Sequence, residues 1–134
     1  MATVAVLADD LIWGTRLATT IDAFEGWRAT RLRTQAGLDA WLAAGDRAPG
    51  DVVIVDLTAR AYDGVAAISV AFGRNVRALA VGQHDDHELR KRALAAGAER
   101  VYAYRKLFED GPATLGRWLG VAEGSGATEP VVQR

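Results

Sequence analysis

Largely apolar runs of four to six residues punctuate the chain at Val4 to Ala8, Val52 to Val55, Val76 to Val81 and Val101 to Tyr104. They are too short for helices and rich in β-branched or aromatic types, which predicts strands covered on both faces, as in a parallel sheet. A weaker strand is expected over Trp27 to Leu32, where apolar and polar residues alternate as on a sheet edge. Helical spacing fills the gaps. Leu11, Leu17, Ile21 and Phe24 predict a helix over 11–24 stopped by Gly26, and Leu38, Trp41 and Leu42 a second ending near Gly45, before a turn over 46–50. Val65, Ile68, Val70 and Phe72 give a third ending at Gly73. Leu89, Ala93, Leu94 and Ala96 give a fourth over 86–96, with Gly97 at its end. Leu107, Leu115, Trp118 and Leu119 belong to a fifth, interrupted at Gly111 and Pro112 and expected to start near Pro112, because proline is well tolerated in a first helical turn. These elements fill 1–119; residues 120–134, rich in Gly, Ser, Thr and Glu, read as a flexible tail.

Strand and helix alternating five times predict right-handed crossovers and helices on both faces of an open, doubly wound parallel sheet. The functional site of such a sheet lies beyond the carboxyl ends of its strands, at the switch in strand order. In the order 2-1-3-4-5, strands one and three are neighbours, so Asp9 and Asp10 after the first face Asp56 at the end of the third. Converging carboxylates repel unless a cation joins them. Oxygen donors without Cys or His select a hard cation, and weakly bound Mg²⁺ is the natural occupant. Such a cation would also let a phosphoryl donor approach a carboxylate nucleophile. Each Asp has a plainer reading, since Asp just before Leu11 is a good helix N-cap and Asp56 could be an ordinary turn residue.

Composition narrows the functions. The 16 basic and 17 acidic side chains nearly cancel, which argues against direct nucleic-acid binding and against a polybasic membrane anchor. There is no cysteine, so disulfides and thiolate metal sites are excluded. The first residues lack a signal-peptide pattern and no run approaches the roughly 20 residues of a membrane span, so a cytoplasmic protein is expected. No Gly-x-Gly-x-x-Gly, nucleophile elbow or phosphate-cradling loop follows the first strand, and no enzymatic activity is expected. His84, Asp85, Asp86, His87 and Glu88 read as a capped helix start rather than a metal site. Trp13, just beyond the acidic pair, is either a packing residue or a cover for the pocket.

The chain resembles the receiver domain of two-component response regulators over roughly residues 3–119. Val4 to Asp10 is similar to the first strand with its acidic pair, Val52 to Asp56 to the strand presenting the phosphoacceptor, Asp63-Gly64 to the Asp-Gly that follows, and Ala96-Gly97-Ala98 to the segment before the last strand. The resemblance implies a flavodoxin-like fold with Asp56 as phosphoacceptor. It also implies Asp10, Asp56 and the Thr58 carbonyl as Mg²⁺ ligands, and Asp9 as a second or water-mediated one.

The departures from that pattern fall on the switch residues. Gly82 stands where the family has Thr or Ser, Tyr104 where it has the Lys of a Lys-Pro pair, and Val101 where it has an aromatic. Arg105 or Lys106 reaches the pocket only if the strand end is displaced by a residue or two. A phosphoryl group is therefore expected to lose its usual hydroxyl and ammonium partners, and with them its coupling to the rest of the domain. Arg90, Arg92, Arg105 and Lys106, with Tyr102, form the expected interface on helix four, strand five and helix five, the surface through which receivers commonly dimerise or meet partners. The leading expectation is a divergent, stand-alone signalling module acting by protein–protein contact, including a homodimer. Its alternatives are a conventional receiver phosphorylated on Asp56 by a histidine kinase, and a small-molecule or nucleotide-binding module. The segment after 120 has no room for an output domain, so no DNA binding in cis is expected.

Overall fold

The computed structural model describes residues 2–44 and 50–121, so the turn expected over 46–49 and the tail from 122 onward lie outside the described residues. The strands are β1 (Ala2–Leu7), β2 (Trp27–Leu32), β3 (Val52–Asp56), β4 (Arg77–Gly82) and β5 (Arg100–Ala103). The helices are α1 (Leu11–Asp22), α2 (Gln35–Ala43), α3 (Gly64–Gly73), α4 (His87–Ala96) and α5 (Tyr104–Leu119). All strand pairs are parallel, in the order β2-β1-β3-β4-β5, the doubly wound flavodoxin-like topology expected.

Side-chain alternation along the strands divides the core in two. Val4, Val6, Val52, Ile54, Leu79 and Val81 pack beneath α1 and α5, against Leu17, Ile21, Leu115 and Trp118. Ala5, Leu7, Val53, Val55, Ala78 and Ala80 face the other way, against Leu38, Leu42, Ile68 and Ala93 of α2, α3 and α4. Each of these strand residues is at most 1 % exposed, which is why their sequences show no alternation. β2 is the edge strand its pattern foretold, with every residue partly or well exposed.

Helix boundaries follow local chemistry. Side chains of Asp10, Thr34, Asp63 and Asp86 each accept a hydrogen bond from a first-turn amide, capping α1, α2, α3 and α4. Thus the His84–Glu88 segment is a capped helix start, as expected. Gly97 ends α4 at φ +121°, and an added Cβ would stand 2.6 Å from the Phe72 ring, so two independent constraints demand glycine.

The last unit differs from expectation. β5 stops at Ala103, and α5 begins at Tyr104 rather than near Pro112. Buried Leu107 continues the apolar stripe of Leu115 and Trp118 about two turns earlier, and Arg105–Glu109 (3.2 Å) and Lys106–Asp110 (3.8 Å) ion pairs line the exposed side. The helix breaks locally at Asp110 (φ −143°, ψ 38°) and resumes with Pro112 in its new first turn, where a missing N–H costs little.

Candidate functional site

β1 and β3 are direct neighbours with Leu7 opposite Val55, so the chain just after β1 and the end of β3 meet at the switch point. A cleft of about 480 Å³ opens there, lined by Asp9, Asp10, Asp56, Trp13, Tyr104 and Phe108. The topology thus brings the three expected acids to one cavity. What each acid does there is specific.

Asp10 caps α1, with Oδ1 accepting the Trp13 amide at 2.9 Å. Asp9 turns toward the loop after β3, where its Oδ2 accepts the amides of Arg60 (2.9 Å) and Ala61 (3.1 Å). That bond ties the β1 and β3 loops together across the switch point. Asp56 is only 4 % exposed, and its Oδ1 accepts the Thr58 amide at 3.0 Å. The same oxygen meets the Thr58 hydroxyl at 3.1 Å and accepts a short hydrogen bond from the Tyr104 hydroxyl. The Thr58 and Tyr104 hydroxyls also share a short hydrogen bond. With one proton on each hydroxyl, Tyr104 donating to Asp56 leaves Thr58 to donate to either oxygen.

Tyr104, which the resemblance sets at the family's lysine position, has a contact of its own. Standing at the first position of α5, it directs its phenol onto the very carboxylate that the resemblance assigns to phosphorylation. Sequence reasoning read the position as the end of a strand and as an absence. The phenol could be found only by placing the strand end one residue earlier. Burial pushes the Tyr104 phenol above its ordinary range, and the hydrogen bond to Asp56 adds to the shift, since ionisation would lose that bond and set two anions side by side. The hydroxyl stays a donor. Trp13 supports it edge to face, ring centroids 5.0 Å apart and planes at 77°. Trp13 both packs and walls the cleft.

A second tyrosine escaped the sequence reading. Tyr62 is buried, and its hydroxyl stands 2.7 Å from the Leu7 carbonyl and 2.8 Å from the Asp56 carbonyl, bridging the ends of β1 and β3. Burial, then the nearby Asp56 charge, raises its phenol well above the ordinary value. A lone aromatic within a polar loop carries no periodicity to mark it. The Asp63-Gly64 pair also acquires a physical meaning: Asp63 caps α3, while a Cβ on Gly64 would lie 3.0 Å from the Leu57 Cα. The backbone beside Asp56 needs glycine there. Gly82, by contrast, has room, because a Cβ would meet Leu57 Cδ1 at 3.4 Å, an ordinary contact.

The remaining expected residues fall in different places. Arg105 lines the acidic cleft and pairs with Glu109, while Lys106 pairs with Asp110. Arg90 and Tyr102 lie instead in a separate groove beside β5, and Val101 is buried beneath it. Arg92 is exposed and lines neither. The five expected interface residues are thus divided between the acidic cleft, the groove beside β5 and the exposed faces of α4 and α5.

The second carboxylate oxygens of Asp9, Asp10 and Asp56 accept no hydrogen bond from the described residues, so oxygen donors for a hard cation are present. Among the described residues, though, no three acidic or imidazole side chains stand close enough to share one metal ion. The cleft thus suits a water-rich Mg²⁺ on one or two carboxylates, and not a three-carboxylate centre. No helix among the described residues is long and apolar enough to cross a membrane.

Five parallel strands in this order, with acids at the ends of β1 and β3, define the fold of response regulator receiver domains, and solved structures bear this out. A two-component response regulator from Clostridium difficile superposes with a TM-score of 0.75 at 10% identity, covering 90% of this chain and 98% of that one. The receiver domain of NtrX from Brucella abortus gives 0.72 at 19% identity, covering 89% and 99%. The Mn²⁺-bound response regulator Rcp1 gives 0.73 at 10% identity, covering 92% and 98%. No protein-family model matches the chain, and no curated protein matches it in sequence.

Proposed function

We propose that this chain is a non-enzymatic, receiver-like signalling module that binds a protein partner without a phosphoryl switch. The observation that carries the reading is the Tyr104 hydroxyl hydrogen-bonded to Asp56 Oδ1. Mg²⁺-assisted phosphorylation asks one carboxylate oxygen to attack phosphorus and the other to hold the metal. Here Oδ1 is already engaged by the Thr58 amide and the Tyr104 phenol, leaving Oδ2 for one task or the other. A charge-assisted hydrogen bond contributes about 1.5–3 kcal/mol, so displacing the phenol is a substantial cost. Were a phosphoryl group nonetheless attached, Gly82 offers it no hydroxyl and Tyr104 no positive charge. One or two of the carboxylates of Asp9, Asp10 and Asp56, with the Thr58 carbonyl and water, would hold a weakly bound Mg²⁺, which would screen the acids of the cleft.

A module without a switch needs a preformed surface. Leu11 and Ile12, 57 % and 84 % exposed, open α1, and Phe108, 59 % exposed, lies on α5 with the Arg16 guanidinium 3.9 Å over its ring. With Arg105 and Arg16 near Phe108, this mouth of the cleft has the apolar centre and basic rim of a partner-binding surface. A histidine kinase or another signalling protein fits that composition, as does a second copy of the chain. The test is capture of partner proteins from a cell extract by wild type, Asp56→Asn and Ile12→Glu/Phe108→Glu, each with and without acetyl phosphate. The reading expects the same partner on wild type and Asp56→Asn regardless of acetyl phosphate, and none on the double variant. Capture that requires both acetyl phosphate and Asp56 would establish the conventional phosphoreceiver.

A further inference from the structure

Along the free edge of β5 a groove of about 890 Å³ runs between α4 and α5, from Arg77 and Arg100 to Tyr102, two strands away from Asp56. Its walls carry the guanidiniums of Arg77, Arg90, Arg100 and Arg117 against the single carboxylate of Glu99, an excess of three positive charges on a chain whose net charge is −1.

The groove is built, not merely basic. Arg77 forks onto Glu99, with Nε at 3.0 Å from both carboxylate oxygens and Nη2 at 2.9 Å from Oε1, and Nη2 also donates to the Trp118 carbonyl at 3.2 Å. The Trp118 indole donates to the same Glu99 at 3.0 Å, and the Arg77 guanidinium lies 4.9 Å over the indole. Glu99 is held below the usual carboxylate range, chiefly by the Arg77 hydrogen bonds. It is thereby neutralised in place. Arg90 is fixed too, its Nη1 donating to the Val101 carbonyl at 2.8 Å. Arg100 and Arg117 are exposed and, among the described residues, make no hydrogen bond or ion pair of their own. Two positioned guanidiniums and two uncommitted ones thus face one concavity beside the half-buried Tyr102.

We propose that this groove binds a multiply charged phosphate or phosphate ester of small-molecule size. Guanidinium is the side chain of choice for phosphate because its planar fork matches two oxygens at once, and the basic residues lining this groove are all arginines. The volume lies within the range of small-ligand sites. An extended acidic peptide is the weaker candidate, since strand addition to β5 needs the Val101 carbonyl that Arg90 already occupies. The site stands apart from the Asp56 cleft and does not depend on the reading given to that cleft.

The test is a titration of the full chain with pyrophosphate and with ATP in magnesium-free buffer, followed by backbone amide NMR, on wild type, Arg100→Gln and Arg117→Gln. Neither arginine supports the fold through a hydrogen bond, so both variants are expected to give wild-type spectra before ligand is added. The proposal expects saturable shifts at Arg100, Tyr102 and Arg117 with the Asp56 amide unmoved. It also expects affinity about three- to tenfold weaker in each variant, the scale of one exposed charge-assisted contact. Absence of saturation, shifts centred on Asp56, or equal affinity in all three proteins would overturn it. So would a glutamate-rich peptide that binds in the groove where the phosphates do not.

Discussion

At Tyr104 a single side chain turns a pocket of acids into a closed hydrogen-bonded unit. Its phenol donates to Asp56 Oδ1 without adding charge. Removing the hydroxyl while keeping the ring, as in Tyr104→Phe, should cost about 1–2 kcal/mol by urea denaturation at neutral pH, because Asp56 loses a donor in a largely buried place. The same contact sets a pH dependence. Burial and Asp56 raise the phenol above its unfolded value of 10.0, so the folded chain keeps a proton that the unfolded chain releases. Its stabilisation is fully present below about pH 10 and declines as pH rises beyond it. Wild type should lose stability more steeply than Tyr104→Phe between about pH 9.5 and 11, with the residual slope carried by Tyr62, whose phenol is raised by the same forces. Equal slopes in the two proteins would mean that Tyr104 does not hold its proton on Asp56.

Among the elements, the loops after β3 and β4 show how local space separates two glycines that look alike in sequence. Gly64→Ala would press a methyl to 3.0 Å from the Leu57 Cα, against backbone that cannot swing away, and should cost about 1–3 kcal/mol while disturbing the Asp56 amide. Gly82→Ala meets only a leucine methyl at 3.4 Å and should leave stability within about 1 kcal/mol of wild type. Thermal melts of the two variants check the contrast. The first half of α5 supplies another test, since Leu107 is 4 % exposed and Leu107→Ala should cost about 2–4 kcal/mol; a near-neutral result would detach that turn from the core. The same elements show what was legible in the sequence. β1, β3 and β4 were recognisable because they are covered on both faces, β5 by its β-branched and aromatic residues although only Val101 is buried, and β2 by its alternation. The start of α5 was hidden because Gly111 and Pro112 suggested a helix start, whereas the break at Asp110 joins two helical halves. One misplaced strand end then concealed what Tyr104 does. Asp10 announced itself as a cap, yet Asp9 as a brace for the Arg60 and Ala61 amides, and Tyr62 as a bridge between carbonyls, depend on distant backbone that no local spacing encodes.

For the whole molecule, the fold supplies two separate sites: an acidic cleft in which Tyr104 is bonded to Asp56, and an arginine-lined groove beside the edge strand. The resemblance to receivers sets Gly82 where the family has a hydroxyl after β4 and Tyr104 where it has an ammonium after β5. The account therefore predicts that the deficiency is confined to those two positions and can be repaired. The most direct measurement is a beryllofluoride titration in excess Mg²⁺, read through the backbone amides of β4, β5 and α4, on wild type and on the Gly82→Ser/Tyr104→Lys double variant. The wild-type amides of those elements should stay in place, and the double variant should show saturable shifts. Saturable shifts in the wild type that vanish in Asp56→Asn would contradict the account and return the chain to the phosphorylation-switched receivers.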